Sequence, residues 1–132
     1  MEKKPKISSF KDLKVWQKAM DISVEVYQLT AGFPTQEIYG LTNQIRRASN
    51  SVSLNIAEGH GRNSTKSYVN FLNIANGSLN ELESGLMLSV RLNFLKDSDL
   101  LKINELIIEE QKMLASLITN LEAKINNKPN SK

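Results

Sequence analysis

Apolar side chains recur at three- and four-residue intervals along most of the chain, a spacing that lines one face of an α-helix and does not suit a strand. Leu13, Trp16, Ala19, Met20, Val26 and Tyr27, joined by Val15, Ile22 and Leu29, predict a first helix from about Lys11 to Thr30. Its stripe is broad enough for two buried flanks, one toward its own bundle and one toward another subunit. Gly32, Phe33 and Pro34 stop it, because proline has no amide donor and disfavours helical geometry in the residue before it. A second helix begins near Glu37 to Leu41 and runs to Glu58, with Leu41, Ile45, Ala48, Val52 and Ile56 as its apolar ridge. Polar or small residues fill the positions between: Arg46, Arg47, Asn50, Ser51, Ser53 and Asn55. Gly59 and Gly61 bracket its end, where a left-handed residue is often needed.

Ser64 or Thr65 caps a third helix by accepting from an amide of its first turn. Tyr68, Phe71, Leu72, Ala75, Leu79, Leu82 and Leu86, continued by Val90 and Leu92, carry it to Leu92 or Asn93. Gly77 and Gly85 lie inside it, each costing roughly 1 kcal/mol relative to alanine, and so each is expected to mark a close helix crossing. Asp97 or Ser98 caps a fourth helix, in which Leu100, Ile103, Ile107, Leu114, Leu117, Leu121 and Ile125 follow a near-heptad pattern widened by Leu106 and Met113. Short connections between long amphipathic helices make neighbours antiparallel. The expected fold is therefore all-α: an up-down-up-down antiparallel four-helix bundle over residues 10–126, with a flexible tail at 1–9 and a disordered one at 127–132.

At 132 residues the chain suits one domain with a real core. No apolar run approaches the roughly 20 residues that cross a bilayer, and Met1 to Lys6 lead into no signal-peptide core, so no membrane partner and a cytoplasmic location are expected. The absence of cysteine excludes disulfides, thiolate zinc sites and thiol catalysis. The net charge of +3 says less than its distribution: residues 1–66 carry 10 Lys and Arg against 6 Asp and Glu, and residues 67–132 carry 7 against 8. Lys3, Lys4, Lys6, Lys11 and Lys14 crowd the start, as a solvated tail or as a nucleic-acid arm.

Several motifs, in order, resemble one family. They are Phe10 to Ala19 (FKDLKVWQKA), Phe33-Pro34, Tyr39 to Ala48 (YGLTNQIRRA), Asn55 to Arg62 (NIAEGHGR) and Gly77 to Glu83 (GSLNELE). Together they resemble the small four-helix-bundle proteins of 23S ribosomal RNA intervening sequences, the S23-type proteins, over about Phe10 to Leu95. The resemblance implies assembly into a ring, typically a homopentamer. It also implies a fold like that of the accessory variability determinant of diversity-generating retroelements, a basic barrel that partners a reverse transcriptase and nucleic acid. RNA or DNA and a nucleic-acid-processing protein are thus the implied partners beside the chain itself. Many relatives have proline in helix 2 where this chain reads Ser51-Val52-Ser53-Leu54, which weakens the expectation of a kink there.

The candidate residues divide between structure and binding. Arg46 and Arg47 project about 100° apart, so one is expected to pair inward and the other to face out. The structural reading gives them a salt bridge to Glu81 or Glu83, with Asn55 and Ser78 satisfying nearby groups; the functional reading gives the outward arginine a phosphate. Arg62 and Lys66 flank the start of helix 3, where free amides and the helix dipole favour an anion, although a plain helix start explains them equally well. Glu58 lacks the companions of a general base and is expected to pair near the turn, with Arg62 as partner. His60, the single histidine, is expected to be an exposed loop residue. Trp16, Tyr27, Tyr68 and Phe71 sit on apolar stripes and read as packing, whereas Tyr39, beside Gly40, stands off them. No catalytic set, metal-ligand spacing or cofactor motif is present in the sequence, so the protein is expected to be no enzyme, with no cofactor and no metal. Two functions remain: a nucleic-acid-binding accessory factor, or a protein-interaction scaffold that does not touch nucleic acid.

Overall fold

The computed structural model describes residues 9–127. The expected tails fall almost wholly outside these residues. Among those described are four long helices and no strand: α1 (Lys14–Thr30), α2 (Leu41–His60), α3 (Thr65–Arg91) and α4 (Leu101–Asn126). Each packs on two neighbours in the cyclic order α1, α2, α3, α4, which leaves α1 and α3 diagonal across the core. This is the antiparallel bundle that the short connections require.

The helix ends differ in detail from their sequence expectations. A 3-10 turn at Phe10–Asp12, capped by Ser9 Oγ accepting from Lys11 N at 3.1 Å, precedes α1. Another 3-10 turn at Thr35–Glu37 occupies part of the α1 to α2 connection, and the Glu37 carboxylate then accepts from Leu41 N at 3.1 Å. This carboxylate satisfies one of the first free amides of α2 and lies favourably at its positive end. Without proline in its middle, α2 runs unbroken to His60. Ser64 Oγ caps α3, accepting from Ser67 N at 3.0 Å. Asn93, at φ 64°, ends α3 in a left-handed turn closed by Phe94 N donating to Ser89 O at 2.9 Å. Before α4 comes a 3-10 turn at Asp97–Leu100, at whose start the Asp99 carboxylate accepts from Lys96 N at 2.8 Å; α4 itself follows Leu100 with no side-chain cap, from Asp97, Ser98 or any other residue.

Ile22, Val26, Ile45, Val52, Ile56, Leu72, Leu79, Leu82, Leu86, Ile103, Ile107 and Leu114 form the innermost layer. Burying each such side chain contributes about 1.5–3 kcal/mol, and truncating one, as in Leu79→Ala, is expected to cost about 2–5 kcal/mol.

The glycines act mainly by being small. Among the described residues no glycine has positive φ, and Gly61, which follows α2, is right-handed, so the α2 end does not need a left-handed glycine. Gly59 is instead buried within α2, where a Cβ would meet Phe71 Cβ at 2.7 Å. Gly85 answers its expectation as a close crossing, with Ile45 Cγ1 at 2.8 Å from where its Cβ would stand. Gly77 does not: nothing lies within 4 Å of that point.

Candidate nucleic-acid interface

Between α1 and α2 lies an open cleft of about 400 Å³, lined by Tyr27, Ile38, Tyr39, Thr42, Asn43, Arg46, Arg47 and Asn50. The helical period of α2 brings Asn43, Arg46, Arg47 and Asn50 to one side of it. Arg46 is fixed there. Its Nε donates to Thr30 Oγ1 at 2.9 Å, and its guanidinium lies 4.5 Å from the centre of the Tyr27 ring. Thr30 in turn donates to Val26 O at 2.8 Å, and Asn50 Nδ2 donates to Tyr27 Oη at 3.0 Å. Arg47 is exposed. Neither arginine forms an ion pair among the described residues, and no carboxylate lines this cleft.

The salt bridge expected from Arg46 or Arg47 to Glu81 or Glu83 is therefore absent. For Arg46 the physical reason is the α1–α2 contact, where a tyrosine face and a threonine hydroxyl take the place of a carboxylate, while Arg47 shares the α2–α3 groove with Glu81 without forming an ion pair. The 100° divergence of the two arginines is also less separating than expected, because the cleft is wide enough to receive both.

On the other side of α2, a groove of about 590 Å³ runs between α2 and α3 and includes Arg47, Ser51, Glu81, Ser84, Gly85 and Leu88. Ser51 is the centre of its polar contacts. Its Oγ accepts from Asn55 Nδ2 at 2.9 Å and from Ser78 Oγ at 2.8 Å, while Asn55 Nδ2 also donates to Ser51 O at 2.8 Å. Asn55 and Ser78 thus link the helices through Ser51 without an arginine. Glu81 is exposed on the groove, and Glu83 is half-buried with no hydrogen bond or ion pair among the described residues.

At the α2 to α3 turn, Arg62 Nη2 donates to Glu58 Oε2 at 2.6 Å, and the Arg62 guanidinium lies 4.8 Å from the Phe71 ring centre. Lys66 lines a separate pocket of about 400 Å³ with Val69, Asn70, Asn73, Glu122, Ile125 and Asn126. Arg62 thus has a carboxylate partner, whereas Lys66 forms no ion pair among the described residues. His60 is not a loop residue: it closes α2, half-buried, with its ring 5.9 Å edge-on from Tyr68. Burial raises the Tyr68 phenol above its ordinary value.

The sequence profile described as 23S rRNA-intervening sequence protein matches residues 11–116. The chain belongs to that family. The crystal structure of a protein of unknown function from the S23 ribosomal protein family of Bacteroides thetaiotaomicron is similar, with 29% identity and a TM-score of 0.70. The match covers 79% of this chain and 97% of the other. No curated protein matches. Every candidate site residue, from Arg46 to Glu83, lies within the span of the family profile.

One residue of this family member escaped the sequence reading. Glu110 occupies the heptad slot between Ile107 and Leu114 and is fully buried, and neither carboxylate oxygen has a hydrogen-bond partner. Burial pushes its pKa up to about 8, against a smaller opposing effect of Lys18. Lys18 Nζ itself donates to Glu109 Oε1 at 2.6 Å, a bond that raises the lysine pKa. The available signal was the gap in the apolar series on α4. Among the described residues no group of three or more His, Asp or Glu side chains is placed to hold a metal, and no helix is long and apolar enough to cross a membrane.

Proposed function

We propose that the protein is a non-enzymatic, self-assembling helical bundle that binds RNA or DNA as a cytoplasmic accessory factor. The observation that carries the binding is the pair Arg46 and Arg47, both on one open cleft and both without a carboxylate partner among the described residues. Two guanidinium groups beside an open cleft, with no carboxylate lining it, suit phosphate.

Self-assembly draws support from large apolar side chains left exposed on all four helices, Leu54 on α2 and Leu101 and Ile108 on α4 among them. Met20 and Val24 are exposed on one face of α1, and Ile74 and Leu88, fourteen residues apart, on one face of α3. Apolar surface exposed on different sides of the bundle suits a head-to-tail contact, which closes into a ring when the rotation permits. Five copies is the number that the family resemblance implies.

Light scattering coupled to size-exclusion chromatography tests the assembly, with an expected mass of five times 14.8 kDa. A monomer at every concentration would remove the ring. Fluorescence anisotropy against ribosomal RNA fragments and duplex DNA tests the binding, which should weaken steeply with salt as phosphate neutralisation demands. Binding unaffected by salt, or none, would reject the nucleic-acid reading.

A further inference from the structure

We propose that the α1–α2 cleft is a site for single-stranded nucleic acid, holding one unpaired base against Tyr39 and the adjoining phosphodiester on Arg46 and Arg47. The proposal rests on the nucleic-acid reading above and says where, and in what form, the strand is held.

Tyr39 is 92% exposed, more than any other large apolar or aromatic side chain of the described surface, and it stands at the cleft beside the half-exposed Ile38. A ring so exposed contributes little to the fold. Its two faces are open to stack on a base, a contact that every base supplies. Arg46 is held in place by Tyr27 and Thr30, and its Nη groups have no hydrogen-bond partner among the described residues. A guanidinium already fixed loses little freedom on meeting a phosphate. Arg47, exposed at the border of the cleft and the α2–α3 groove, is placed to follow the strand from one to the other.

Two other cationic places among the described residues, at Arg62 and Lys66, lack this combination. Arg62 already holds Glu58, and the pocket that Lys66 lines has no aromatic ring. The size of the cleft also selects. About 400 Å³ is at the small end of ligand pockets and admits a nucleotide, whereas a duplex keeps its base faces stacked away from any such ring.

The test uses anisotropy of a labelled twelve-nucleotide single strand, as RNA and as DNA of the same sequence, beside the matching duplex. It compares the full chain with Tyr39→Ala, Tyr39→Phe, Arg47→Ala and the double charge reversal Arg62→Glu with Lys66→Glu. Light scattering follows each variant. Tyr39→Ala is expected to weaken single-strand binding about tenfold and leave duplex binding unchanged, with Tyr39→Phe restoring it. Arg47→Ala is expected to reduce the salt slope for single strands by about 0.7. If the wild type shows salt-sensitive binding that Tyr39→Ala and Arg47→Ala leave intact while the double reversal abolishes it, the cleft is wrong and the broader reading stands. Absence of salt-sensitive binding in the wild type removes both. A change of oligomeric state in Tyr39→Ala would assign the ring to a contact between copies and overturn the proposal.

Discussion

A Cβ on residue 59 would stand 2.7 Å from Phe71 Cβ, so glycine at 59 is what lets α2 and α3 meet beside the turn that joins them. Phe71 Cβ is fixed to its backbone and cannot swing aside, and Tyr68 O would lie 3.2 Å from the same added atom. Gly59→Ala therefore has to part the helices. The overpacking costs typically 1–3 kcal/mol and exceeds the gain of up to about 1 kcal/mol in helix propensity. A fall of several degrees in Tm is expected in thermal unfolding. A variant as stable as the wild type would mean that the turn end of the bundle yields freely.

Gly77→Ala is the opposite case. With nothing within 4 Å of the added carbon, the propensity gain of up to about 1 kcal/mol stands alone, and the variant should be more stable in urea. If Gly77→Ala is stabilised when dilute but assembles less well, this face of α3 is covered by a neighbouring copy, as the exposed Ile74 and Leu88 on the same helix suggest.

What the chain's pattern disclosed, and what it hid, follow from the range of the forces involved. The ridge Leu41, Ile45, Ala48, Val52 and Ile56 is visible because helical burial repeats locally, and all five are buried. The pair of Arg62 with Glu58 is visible for the same reason, four residues being one turn. Arg46 on Tyr27 is a contact between residues nineteen apart, created by how α1 crosses α2, and no spacing announces it. The end of α2 misled because glycine has two uses: the turn suggested a left-handed residue, and the packing with Phe71 needed only a missing Cβ.

The Glu58 and Arg62 ion pair is expected to matter for charge and not for stability. Both side chains are about half exposed, 54% and 46%, and pairs of this kind contribute from nothing to about 0.5 kcal/mol. Glu58→Gln should leave the urea midpoint nearly unchanged while releasing Arg62. Affinity for RNA should then rise modestly and depend more steeply on salt. Unchanged affinity and slope would mean that Arg62 does not meet phosphate even when free.

Glu110 should make the bundle less stable as the solution becomes more alkaline. Its carboxyl is fully buried without a hydrogen-bond partner, and its pKa rises from 4.5 to about 8 in the fold. Between these values the folded chain holds a proton that the unfolded chain has released, so unfolding gains on folding as pH rises. The contribution is complete below pH 4.5 and is lost progressively as pH climbs through about 8. At about 1.4 kcal/mol per pH unit, the whole loss is on the order of 5 kcal/mol. Lys18, the charged neighbour on α1, already limits it; Lys18→Met should push the Glu110 pKa higher and deepen the alkaline loss. Glu110→Leu fills the heptad slot with the residue type found one step away at Leu114, and replaces a buried carboxyl that has no hydrogen-bond partner by an apolar side chain, which is expected to stabilise the bundle. Urea unfolding at pH 5, 7 and 9 should therefore show a stability that falls across the series in the wild type and varies much less in Glu110→Leu, which gains most at pH 9. Parallel pH profiles for the two proteins would show that Glu110 is not protonated in the core.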